Sequence, residues 1–137
     1  MNQSNDIRSR PRYAGLGFWA GHNIAVGQQH RMSEEHLLVL CTCPDKEVAE
    51  AIATGLVEAG LAACVNRVPG ITSVYKWQDK LEKDAEELLL IKTSAAAWDG
   101  LEAEIKRLHP YELPEIIAVP ITAGSHEYLN WIRESTR

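Results

Sequence analysis

The chain has 137 residues, a formal net charge of −5, 45% hydrophobic and 24% charged residues, a composition that fits one globular domain with a core of its own. No apolar run approaches the ~20 residues needed to span a bilayer, which excludes a helical membrane protein. Residues 1–31 hold four Arg against the single acid Asp6, so residues 32–137 carry ten Lys plus Arg against eighteen Asp plus Glu, net −8; such a body repels nucleic-acid backbone and attracts cations.

Residues 1–31 show neither a period of two nor of 3.6 and read as a disordered or weakly ordered N-terminal extension. An organellar presequence, a nucleic-acid or membrane arm, and a segment outside the functional domain are competing readings. Met32-Ser33-Glu34-Glu35 has the look of a natural chain start, so function is sought in residues 32–137. His36 to Cys43 is a short apolar run before Pro44, a buried strand. Pro44-Asp45 starts a helix whose Val48, Ala49, Ile52, Ala53, Leu56 and Val57 recur at helical spacing until Gly60. Leu61 to Val68 predicts a second strand, closed by the turn dipeptide Pro69-Gly70.

Ile71 to Thr93 is a long hairpin. Ile71, Ser73, Tyr75 and Trp77 alternate with Thr72, Val74, Lys76 and Gln78 in its first arm. The unbroken run Leu88 to Ile91 in its second arm predicts an inner strand covered on both faces. Two tips are open: a ribbon that overruns the sheet and needs a partner, which points to an oligomer, or a shorter hairpin with a solvated loop from Asp79 to Asp84. Ser94 caps a helix through Leu108, with Trp98, Leu101, Ile105 and Leu108 in one stripe and Glu102 paired with Lys106 outside. Pro110 ends it. Tyr111 to Pro114 is a loop, Ile116 to Ile121 an edge strand interrupted by Pro120, and Ser125 to Ser135 a final helix. The order β-α-β-β-α-β-α, with right-handed crossovers, predicts an α+β, ferredoxin-like antiparallel sheet with two helices on one face and an extra C-terminal helix.

That fold serves many functions, so the residues must discriminate. The Leu88 to Ile91 strand offers no exposed aromatics or basic face for RNA. No anion-cradling Gly-rich loop follows the first strand, and no hydrolase, P-loop or H-E-x-x-H motif occurs; the expectation is a non-enzymatic protein. A cysteine-histidine set remains. Cys41 and Cys43, two apart on a strand, share a face, and thiolates with an imidazole suit copper or zinc; simple core packing is the alternative. Cys64, in an alanine-rich strand, reads as packing. Three cysteines without disulfide-scaffold spacing imply reduced thiols and a cytosolic setting. His109 stands at a helix end before Pro110, as a ligand or as a partner of the helix dipole. Glu86, Lys92, Glu112 and Glu115 read as ligand groups or as solvated charges.

Five segments in register, Cys41-Thr42-Cys43-Pro44-Asp45, Ala62-Ala63-Cys64-Val65-Asn66, Ser73-x-Tyr75-x-Trp77, Glu86 with Lys92-Thr93, and His109-Pro110-Tyr111-Glu112-x-Pro114-Glu115-Ile116, resemble the CutA divalent-cation-tolerance family over about residues 36–135. The resemblance implies a tight cytoplasmic homotrimer joined through the hairpin strands, an architecture similar to PII signalling proteins, and a role in the response to divalent metal ions. It implies copper binding with Cys41 and His109 as ligands, while the acidic body and the lack of a spanning apolar run predict no nucleic-acid and no membrane partner. Some relatives carry a second histidine where this chain has Leu108, and many carry glycine where it has Asp79, a residue that tolerates positive φ. The rival reading is a PII-like sensor that binds a small anionic metabolite in an inter-subunit cleft lined by Trp77, Glu86, Lys92, His109 and Tyr111; a stable assembly scaffold is the third.

Overall fold

The first strand sets the layering. In the computed structural model, which describes residues 35–137, β1 (His36–Cys43) buries Leu37, Val39, Cys41 and Cys43, while His36, Leu38, Leu40 and Thr42 alternate onto the opposite face and stay half-buried. Asp45 turns the chain into a helix: its backbone is extended and its Oδ1 accepts the Val48 N–H at 2.9 Å, an N-cap. α1 (Lys46–Glu58) buries Ala49, Ile52 and Leu56, and Gly60 at φ 70° closes the turn after it. The expectations for residues 1–31 lie outside the described residues.

The hairpin revises three expectations. The strand expected over Leu61 to Val68 and the arm expected from Ile71 are one strand, β2 (Cys64–Trp77), paired with β3 (Lys80–Ser94). Pro69-Gly70 does not turn the chain. It forms a bulge: Val68 lies opposite Leu88 and Ile71 opposite Glu86, so two residues of β2 face one of β3, with Gly70 at φ 76°. A bulge leaves its extra residue unpaired, so a proline fits there without costing a ladder bond. At the tip, pairing continues to Trp77 opposite Lys80. The turn is Gln78-Asp79 alone, with φ of 49° and 62°, in place of a loop from Asp79 to Asp84. Positive φ at both central positions is a type I′ turn, whose twist suits the flanking strands.

Ser94 makes no capping bond; a 3-10 turn at Ala95–Ala97 leads into α2 (Trp98–Leu108), and the Ser94 hydroxyl instead accepts from Thr136 at 2.7 Å. Along α2, Leu101 and Ile105 are fully buried, Trp98 and Leu108 pack at the core's edge, and Lys106 pairs with Glu102 at 2.9 Å. β4 (Ile116–Pro120) is an edge strand on β1, and α3 (His126–Ser135) follows. Among the described residues the result is a mixed α/β fold, a four-stranded antiparallel sheet in the order β2-β3-β1-β4 with three α-helices, and the element order is the one read from the sequence.

α1 and α2 cover one sheet face, where Leu37, Val39, Leu89 and Ile91 meet Ile52, Leu56, Leu101 and Ile105. The other face is closed at one end only. There α3 buries Ile132 completely, and the His36 ring lies 2.9 Å from the Leu129 carbonyl. Beyond α3, Leu88 and Leu90 remain half-buried and Ile117 is 51% exposed, so within this chain the Leu88 to Ile91 run is fully covered on one face, not on both. Among the described residues no helix is long and apolar enough to cross a membrane.

Candidate metal centre

β4 pairs with β1 only as far as Cys41, and beyond that point His109 takes the place of a strand partner. Its Nε2 lies 2.8 Å from the Thr42 carbonyl. The residue is the C-cap of α2, with its N–H on the Ile105 carbonyl at 2.8 Å and its backbone extended at φ −81°, ψ 133°, the conformation favoured before proline. The neighbours also set the tautomer. A carbonyl only accepts, so Nε2 carries the proton; the Tyr111 N–H only donates, so Nδ1, 3.1 Å away, is bare. His109 is therefore a neutral imidazole with both nitrogens engaged.

Folding brings this ring to the thiols of β1. The donor atoms of Cys41, Cys43 and His109 all lie within 4.8 Å of one another. Both cysteines are fully buried and His109 is 6% exposed. Cys41 shares its thiol proton with Cys43 and is held well above the ordinary thiol range, first by that hydrogen bond and then by burial. Cys43 receives the bond and is pushed down to about 6, burial opposing and His109 assisting. Opposite Cys43 on β3 stands the buried Glu87, held by Arg67 through two bonds of 2.8 and 3.3 Å. Two sulfurs and an imidazole form a soft donor set, suited to copper or zinc and unlike the oxygen shells that magnesium and calcium require. The residues fit a soft ion.

The remaining cleft residues divide. On the second sheet face Thr42, Ser73, Tyr75, Glu86, Tyr111 and Glu115 line a pocket of about 350 Å³. The Tyr111 hydroxyl donates to Glu86 at 2.9 Å with both residues buried, and the Tyr111 ring packs on His109 with centroids 4.5 Å apart. Tyr75 donates to Asp84. Burial, and then the charge of Glu86, push the Glu115 carboxyl up. Glu86, His109 and Tyr111 are thus brought together. Trp77 stands at the hairpin tip, and Lys92 lies six residues along β3 from Glu86, about 20 Å at strand rise, with its Nζ 4.0 Å from the Cys64 sulfur. Glu112 is exposed in the loop. With Lys92 elsewhere, the pocket's lining is acidic, which suits a cation better than an anion.

The family model described as CutA1 divalent ion tolerance protein matches residues 37–135. The divalent-cation tolerance protein CutA of Thermus thermophilus is 54% identical over 99 residues, 72% of this chain and 96% of that protein. Protein CutA 1, chloroplastic, of Oryza sativa subsp. japonica is 48% identical over 131 residues, 91% of this chain and 74% of that protein. The solved structure of the divalent cation tolerance protein from Thermus thermophilus superimposes with a TM-score of 0.73 at 53% identity, covering 74% of this chain and 99% of that one. On its sequence and on its fold alike, this chain belongs to the CutA1 divalent ion tolerance family.

Proposed function

We propose that this protein serves divalent-cation tolerance without catalysis, as a cytosolic homotrimer whose subunits each bind copper at Cys41, Cys43 and His109. The observation that carries the reading is the convergence of two buried sulfurs and one imidazole within 4.8 Å. Cys41 and His109 alone make two ligands; Cys43 supplies a third, enough for a soft ion of low coordination number. The sheet order β2-β3-β1-β4 supports reading the subunit as ferredoxin-like. The trimer is supported by the apolar second face and by the projecting ribbon, where Val74 is 56% and Leu81 64% exposed. Free thiols suit a reducing compartment.

Titration of the reduced full chain with Cu(I) under anaerobic conditions, against a competing chelator, tests this. Wild type takes up one ion per subunit. Cys41→Ser, Cys43→Ser and His109→Ala each weaken binding by roughly 10- to 100-fold or more, since even outer-shell changes cost that much. Equal affinity in all four proteins would remove the site.

The pocket of about 350 Å³ beside Glu86 and Tyr111 favours a second reading, a PII-like trimer that senses a small metabolite in a cleft completed by a neighbouring subunit. A thermal-shift screen against a metabolite panel checks it: a compound that raises the melting temperature of wild type and not of Glu86→Gln supports the sensor, and a silent panel counts against it.

A further inference from the structure

The geometry points to a coupling between the thiol-imidazole centre and the pocket on the opposite sheet face: a metal ion at His109 breaks the Tyr111 N–H bond to the ring and so releases the Tyr111–Glu86 latch. The inference rests on the proposed metal site and names its regulation. One proton decides the outcome. In the structure His109 donates from Nε2 to the Thr42 carbonyl and accepts at Nδ1 from the Tyr111 N–H. A neutral imidazole offers a metal one lone pair and keeps its proton on the other nitrogen. If Nδ1 is the ligand, the lone pair that held the Tyr111 N–H is consumed. If Nε2 is the ligand, the proton moves to Nδ1 and faces the Tyr111 N–H, donor against donor. Either choice is incompatible with the bond.

Tyr111 is placed to transmit that loss. Its ring stacks at a tilt on His109 with centroids 4.5 Å apart, and its hydroxyl holds the buried carboxylate of Glu86 at 2.9 Å. Two residues, His109 and Tyr111, therefore pass around the sheet edge from the thiols to the pocket lined by Thr42, Ser73, Glu86 and Tyr111. Displacing the Tyr111 backbone shifts its hydroxyl and reshapes the wall that Glu86 forms. Because the coupling is a free energy, it runs both ways: whatever stabilises the latch disfavours the metal.

The test pairs amide hydrogen exchange at Tyr111, read by NMR on the full chain, with Cu(I) affinity. Saturating Cu(I) raises the Tyr111 exchange rate roughly two- to tenfold, the factor an ordinary hydrogen bond is worth. Tyr111→Phe keeps the backbone N–H and the ring but loses the latch, which holds only in the metal-free form, so it binds Cu(I) more tightly by roughly the same factor. Cu(I) that binds wild type and is lost in His109→Ala, yet leaves Tyr111 exchange unchanged, overturns the coupling and leaves the metal site standing. The same holds if Tyr111→Phe binds as wild type does. Absence of Cu(I) binding overturns both.

Discussion

At Cys43 burial favours the thiol, whereas the hydrogen bond received from Cys41 and the adjacent His109 favour the thiolate, and the latter prevail. A thiol lowered from 9.0 to about 6 contributes stability that is fully present above its unfolded value and is lost as pH falls through about 6. Cys41, raised, contributes the opposite way: its share is complete below the ordinary thiol value and fades at high pH. In reduced, metal-free protein the thiolate absorbance should therefore rise with a midpoint near pH 6, and Cys43→Ser should remove that step. A single rise in the ordinary thiol range, about 8.5, would contradict it. Much of this centre was legible in the residues. Strand alternation puts Cys41 and Cys43 on one face, and Pro110 marks His109 as a helix end. What pattern alone cannot supply is the closure that brings a ring from the end of α2 to the thiols of β1, or the Tyr111 N–H that occupies Nδ1. The Arg67–Glu87 pair was hidden for another reason: its cross-strand register depends on the bulge at Pro69-Gly70.

The β2–β3 hairpin shows the same division at the scale of an element. Alternation and an apolar run make two strands readable, but Pro-Gly serves equally in a turn and in a bulge, and only the pairing across it decides. Likewise Asp79 was legible as a residue tolerant of positive φ, while Gln78, an ordinary residue at φ 49°, was not. Both positions carry left-handed strain. Asp79→Gly should relieve it, raising stability by about 0.5–1 kcal/mol after the entropy cost of glycine, measured as a higher denaturation midpoint. Equal or lower stability would mean that Asp79 sits in the type I′ turn without cost.

For the whole molecule the unfinished feature is the second sheet face. Leu38, Leu40, Leu88 and Leu90 are only half covered, and Ile117 is 51% exposed. The run at Leu88 to Ile91 announces burial on both sides, and in the proposed trimer a neighbouring subunit would supply the second cover. Ile117→Glu separates folding from assembly: a charge at an exposed edge position costs the subunit little, but buried unpaired in an interface it costs several kcal/mol. Sedimentation should then show a loss of trimer with the helical signal retained; a wild-type mass would place Ile117 outside the interface. Trp77→Ala, at the ribbon tip, should loosen the same assembly and lower its melting temperature. X-ray absorption at the copper edge of anaerobically loaded Cu(I) protein tests the ligand set most directly. Two sulfurs and one imidazole nitrogen are expected in the first shell, with one sulfur lost in Cys43→Ser. A shell of oxygen and nitrogen without sulfur would return Cys41 and Cys43 to the core as packing residues.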